Sequence, residues 1–195
     1  MDPDRLAQQI RFIVEIDKLK SVYRRTILID KSRNENSAEH SWHIALMVPL
    51  LAEHASAKID MLKTMKMLLV HDLVEIDAGD TYCYDATAHG DKADREEKAA
   101  KRIFALLPPD QRDELHALWE EFESQKTHEA QFANALDRLQ PLLNNFYTDG
   151  ESWKKHDVDV GQVLARIRPL MDASGSLARF AEQLVHSARE KGYLR

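Results

Sequence analysis

The stretch VHDLVEIDAGD, residues 70–80, sets one histidine and four carboxylates at the end of an apolar run, MKMLLV. On a helix, Glu75 lies about 40° from His71 and Asp72 about 100° from it, so all three edge one pocket. A lone buried carboxylate is costly, and a divalent cation reverses that cost. Adjacent histidine and aspartate offer one nitrogen and one oxygen ligand, a mixture that suits Mn²⁺, Co²⁺, Zn²⁺ or Mg²⁺. Two ligands hold an ion weakly, and His40, on another apolar helix, is the best third. The same spacing also fits a core histidine beside a solvated, acidic helix end. It selects no fourth ligand among 33 acids. Asp137 has one hint in its favour: Pro141, four residues on, denies its carbonyl the usual helical donor and predicts a bend.

These residues must be carried by helices. A first helix is predicted from about Asp4 to Lys20, with Leu6, Ile10, Ile13, Val14 and Ile16 at helical spacing. TILIDKSRNEN reads as extended or looped. Asn36 and Glu39 form a capping box that opens the helix carrying His40. That helix, AEHSWHIALMVPLLAEHA, is apolar nearly all round and is expected at the centre, with Trp42 in the core and a kink at Pro49. A third helix spans about Asp60 to Ile76 and stops at Ala78-Gly79. Residues 80–93 read as a surface loop. Helices follow at about Asp94–Leu107 and Asp110–Ser124. Thr127 caps a sixth, on which Phe132, Leu136, Leu139, Leu143 and Phe146 share a face. Val158 to Gly192 gives two more. No segment alternates at period two, so the fold class is all-α.

Composition narrows the function. At 195 residues and 44% hydrophobic, the chain can bury one substantial core. A net charge of -6 argues against a nucleic-acid or membrane-surface role. One cysteine, Cys83, excludes an internal disulfide and suggests a reducing, cytoplasmic setting. It has no sequence-local base to activate it as a nucleophile. No apolar stretch is long enough to span a membrane, and the N-terminus has no apolar signal core.

The stretches RNENSAEHSWHIALM, HDLVEIDAGD, REEKAAKRIFALLP, ELHALWEEFE and EAQFANALDRLQPLL follow one another through residues 5–150. In them the chain resembles the HD-domain metal-dependent phosphohydrolases, most closely the 5′-deoxynucleotidase branch. The resemblance implies an HD-domain helical bundle of about seven to eight helices. It would form one domain over residues 1–195, the helices of 151–195 packed on a core at about 5–150. It makes His40, His71, Asp72 and Asp137 the ligands of one divalent ion. The implied reaction is hydrolysis of (deoxy)nucleoside 5′-monophosphates by a metal-activated water, with Glu75 and Asp80 catalytic and Arg25 on the phosphate. It also implies a homodimer, for which the late helices are candidates.

The residues around this pattern are read more plainly. The plainer reading of Arg25 is an ordinary surface arginine, since Arg24 lies next door; Arg33 and Lys92 are weaker phosphate candidates and read as solvent-exposed. His43 is not needed by the pattern. His54, His89, His116, His128, His156 and His186 read as surface or packing residues, Trp119 as core. Tyr82 or Tyr84 could stack on a base, though packing of the loop is the simpler reading. Thr26 departs from family members in which a bulky aromatic after the arginine excludes a ribose 2′-hydroxyl, so the sugar preference stays open. Two rival readings remain: hydrolysis of nucleoside di- or triphosphates or another phosphorylated metabolite, and a non-catalytic nucleotide-binding regulatory module. Retention of both Glu75 and Asp80 argues against the second.

Overall fold

The computed structural model describes residues 3–84 and 90–195; His89 and the middle of the loop expected at 80–93 lie outside them. The chain starts with α1 (Pro3–Ile16), followed by a short ribbon of β1 (Tyr23–Ile27) and β2 (Asn34–Asn36). Next come α2 (Ser37–Leu51), α3 (Met61–Val70), α4 (Glu75–Ala78), α5 (Lys92–Phe104), α6 (Pro109–Ser124) and α7 (His128–Tyr147). The remainder is α8 (Glu151–Lys155), α9 (Val160–Ile167), α10 (Leu170–Ala173) and α11 (Gly175–Glu190). The fold is all-α.

The ribbon is the strand content that alternation did not reveal. β1 and β2 pair antiparallel, with Tyr23 opposite Asn36 and Ile27 opposite Asn34. Their turn is local chemistry. The Asp30 carboxylate accepts from the Ser32 amide and hydroxyl, Lys31 takes φ 61°, and the Leu28 amide closes on the Arg33 carbonyl. Strands of five and three residues are too short for a period-two signal. Asn36 then closes the expected capping box with Glu39, contributing about 1 kcal/mol, and sets His40 in the first turn of α2.

Two helices are less buried than their composition predicts. On α2, Ile44 and Val48 are wholly buried, but Trp42 is 62% exposed and Leu46 and Leu50 are exposed with it. The helix is therefore not central all round, and Trp42 is not a core residue. Its apolar surface splits into a core face and a stripe at i, i+4 and i+8 facing out. On α1, Phe12 is buried while Leu6, Ile10, Ile13 and Val14 face out. Trp119 is buried as expected.

The third expected helix is broken where the chemistry sits. After the Met67 carbonyl accepts from the His71 amide, hydrogen bonds tighten to a three-residue spacing, Leu73 to Val70 and Glu75 to Asp72. Residues three apart eclipse in such a turn, so Glu75 stacks over Asp72 rather than over His71. Gly79, at φ 75°, then ends α4.

Most of the core lies in two parts, beside a small third cluster of Met67, Leu118 and Ala130. One joins α2 and α7 to the late helices, through Ile44, Val48, Phe132, Leu136 and Leu139 with Trp153, Ile167, Leu170 and Val185. The other joins Val70, Leu73 and Val74 to α5 and α6, with Phe12 of α1. α3 contributes to both, so residues 71 and 72 emerge at their seam.

Candidate metal centre and phosphate pocket

His40 and His71 arrive from different helices with their ring nitrogens already assigned. His71 Nδ1 lies 2.8 Å from the Leu68 carbonyl, which can only accept, so Nδ1 carries the proton. The Gln140 amide donates 2.6 Å to Glu35, which turns its oxygen to His40 Nδ1 at 3.0 Å. His40 therefore also donates from Nδ1. Both Nε2 lone pairs consequently face carboxylates: His40 Nε2 is 3.0 Å and His71 Nε2 3.8 Å from Asp137 Oδ1, and His71 Nε2 is 3.0 Å from Asp72 Oδ1. His71 Nε2 is buried and has no hydrogen-bond partner. One ligand atom each from His40, His71 and Asp72 lies within 4.8 Å of the others. Lone pairs and carboxylates aimed at one another repel unless a cation stands between them. This donor set, two imidazoles and two carboxylates, fits a divalent ion of the Mn²⁺, Co²⁺, Zn²⁺ or Mg²⁺ kind.

The metal-free charges show the same demand. Burial opposes charge on His71, yet Asp72 and Asp137 raise its pKa well above the ordinary value. Burial would raise the Asp72 carboxyl, but His71 and then Arg24 outweigh it and hold it at about 2. Asp137 is held well below the usual range, against burial, by His40 and His71.

Arg24, to which the sequence assigned no role, enters this cluster. Its Nη1 donates to Asp72 Oδ2 at 2.9 Å, its Nη2 is 4.0 Å from Asp137, and its Nε is 3.7 Å from Glu35. Burial opposes its charge, but Asp72, Glu75, Asp137 and Asp80 keep it protonated. Arg25 lines the same cavity and is exposed, with its carbonyl accepting from the Ser152 hydroxyl at 3.0 Å. Adjacent strand residues point to opposite faces, so one arginine neutralises acids while the other stays at the rim.

Glu75 is buried, and its Oε2 accepts from the Ser37 hydroxyl at 2.6 Å. Burial first, and then Asp72, push its carboxyl up to about 8. Asp80 lines the same cavity and is raised by burial. Lys92 also reaches the cavity, paired with Glu96 at 2.9 Å, whereas Arg33 is exposed and paired with Glu39. Tyr82 and Tyr84 line the cavity, Tyr82 with its ring 4.8 Å from that of His156. His43 meets Gln140 at 3.4 Å rather than the ligand cluster.

A supporting layer escaped the sequence reading. Glu35, Gln140 and Asn144 form a buried network behind His40, with Asn144 3.5 Å from Glu35. Asp137, Gln140 and Asn144 recur at i, i+3 and i+7, and that polar stripe on an otherwise apolar helix was the available signal. Gln140→Leu removes the acceptor that fixes the His40 tautomer. Metal affinity should fall tenfold to a hundredfold in a competitive chelator titration, and an unchanged affinity would show that the network does not orient His40.

A model of the HD domain matches residues 16–177. The mouse (Mus musculus) and human (Homo sapiens) 5′-deoxynucleotidase HDDC2 proteins are each 33% identical over 135 residues, 69% of this chain. That match covers 66% and 65% of their own lengths, just under two thirds. A crystal structure from Magnetospirillum magnetotacticum, titled a predicted metal-dependent phosphohydrolase, is 53% identical, covers 98% of both chains and superposes with a TM-score of 0.91. With the family model covering most of the sequence and the paired imidazoles and carboxylates converging within that match, the chain belongs to the HD domain family.

Proposed function

We propose that this protein is a metal-dependent phosphohydrolase that cleaves phosphomonoesters, with (deoxy)nucleoside 5′-monophosphates as its substrate class. The observation that carries this reading is the convergence of two imidazole Nε2 atoms and two carboxylates beside Glu75, in a cavity that Arg25 also lines. The similarity to the mouse 5′-deoxynucleotidase HDDC2 and to the Magnetospirillum predicted metal-dependent phosphohydrolase supports it. His40, His71, Asp72 and Asp137 hold the ion, which is Mn²⁺, Co²⁺, Mg²⁺ or Zn²⁺. When bound, such an ion supplies Lewis acidity and makes water a nucleophile near neutral pH.

The chain's own residues do the rest. Glu75, held by Ser37, orients the attacking water and takes its proton. Asp80, which burial keeps more readily protonated, gives a proton to the leaving 5′-oxygen. Arg25 binds phosphate oxygens through its guanidinium fork. Thr26 is small and lines the same cavity, which favours admission of both ribose and deoxyribose. Arg25→Ala should raise KM for phosphorylated substrates about tenfold; an unchanged KM would move the phosphate site elsewhere.

The reading extends to a homodimer. In α11 Ala181, Val185 and Ala188 are buried and Phe180 is exposed, whereas α1 and α2 expose Leu6, Ile10, Ile13, Val14, Trp42, Leu46 and Leu50, so α1 and α2 are the stronger candidate contact surface. Ile13→Asp with Leu46→Asp should halve the mass seen by light scattering, and a mass the same as wild type would count against this face. A cytoplasmic setting accords with the single cysteine. Among the described residues no helix is long and apolar enough to cross a membrane. A phosphate-release screen over nucleoside mono-, di- and triphosphates and sugar phosphates, repeated with the four metals, tests the substrate class. Release from monophosphates supports the reading, and pyrophosphate as product would contradict it.

A further inference from the structure

Two more arginines line the metal-bearing cavity, and nothing above uses them. Arg138 belongs to α7 and Arg166 to α9. On α7, Arg138, Pro141, Leu142 and Asn145 all line the cavity at i, i+3, i+4 and i+7; on α9, Val163, Arg166 and Ile167 do so at i, i+3 and i+4. Each helix thus turns one face to the cavity, and each face carries an arginine on largely apolar surface.

These guanidinium groups are poorly matched by protein acids. Among the described residues, Arg166 has one ion pair, Nη2 to Asp137 Oδ2 at 3.5 Å, and Arg138 has none. Arg138 Nη2 reaches the Gln125 side-chain oxygen at 3.5 Å, and its Nε is buried without a hydrogen-bond partner. The other oxygen of Asp137 is committed to His40 and His71. Arg166 therefore has one carboxylate oxygen and Arg138 has none, in a partly enclosed place where an unmatched charge is costly. Arg166 meets Asp137 at Oδ2, whereas Arg24 meets it at Oδ1.

We propose that Arg138 and Arg166 form a second anion subsite, so that the preferred substrate is a nucleotide carrying a phosphoryl group besides the one that is cleaved. This rests on the phosphohydrolase reading and sharpens its substrate class. The ligand chemistry is a second phosphate on the same small molecule, as in a 3′,5′-bisphosphate, whose 5′ ester remains the bond that is cleaved. Leu142, Val163 and Ile167 then offer apolar surface to the nucleoside between the charges.

The test is calorimetric titration of the full Mn²⁺-loaded chain in a Glu75→Gln background, which leaves the nucleotides intact. The probes are deoxyadenosine 5′-monophosphate, 5′-diphosphate and 3′,5′-bisphosphate. The 3′,5′-bisphosphate should bind about tenfold or more tightly than the monophosphate, and a gain shown by the 5′-diphosphate alone would overturn the proposal. Adding Arg138→Gln and Arg166→Gln should bring that ratio close to one, whereas lysine at both positions should preserve most of it. A ratio near one in the parent, or a ratio the glutamine pair leaves untouched, overturns the proposal. If the glutamine pair does not fold, the parent ratio decides. Binding is read without turnover, so absence of phosphate release by the wild type would sink the hydrolase reading alone.

Discussion

Asp72→Asn is expected to remove the bound metal and the phosphohydrolase activity together. The exchange keeps the side chain's shape and an oxygen for Arg24 Nη1, now 2.9 Å from Oδ2, so buried Arg24 is not stranded. It removes the negative charge that faces His71 Nε2 at 3.0 Å. A site of two imidazoles and one remaining carboxylate holds a hard dication much less well. An ion of this kind supplies several kcal/mol of transition-state stabilisation, so turnover should drop about a thousandfold or more. Metal content by elemental analysis should fall below one ion per chain while the helical circular dichroism survives. A variant that keeps its ion and its activity would remove Asp72 from the site.

Glu75→Gln should separate metal binding from chemistry. The carboxylate accepts from Ser37 rather than from a proposed ligand, so metal content should hold. Loss of a positioned general base typically lowers turnover a hundredfold to ten-thousandfold. The same variant has a pH signature in the metal-free protein. Folded Glu75 titrates at about 8, above its ordinary 4.5, because it is buried and stands over Asp72. The folded state thus holds this proton more tightly than the unfolded chain. Its contribution to stability is complete below about 4.5 and is lost as pH rises toward 8. Between pH 6 and 9, metal-free wild type should lose about 2 kcal/mol relative to Glu75→Gln in urea unfolding. Parallel stability curves for the two proteins would contradict the burial argument.

Where sequence pattern and structure part company, the reasons are physical. The capping box of Asn36 and Glu39 was legible because its partners are three residues apart and its chemistry is local. It placed His40 correctly in the first turn of α2. The α7 face of Phe132, Leu136 and Leu139 was legible from helical spacing. The tightened turn after Val70 was not, because hydrogen bonds from three or four residues back leave the same side chains in sequence. Arg24 and Arg25 could not be assigned without knowing that they lie on a strand. Arg138 and Arg166 look in sequence like the polar sides of amphipathic helices; only the packing of α9 against α7 turns them into a cavity wall. Trp42 misled because an apolar helix was taken to be surrounded, whereas α2 keeps one apolar stripe on the surface.

The central claim is that four side chains from three helical segments grip one dication. The most direct measurement is anomalous diffraction from crystals of the wild-type chain soaked in Mn²⁺. The account predicts one strong peak per chain, within bonding distance of His40 Nε2, His71 Nε2 and oxygens of Asp72 and Asp137. A peak elsewhere, with these four side chains free of metal, would contradict it.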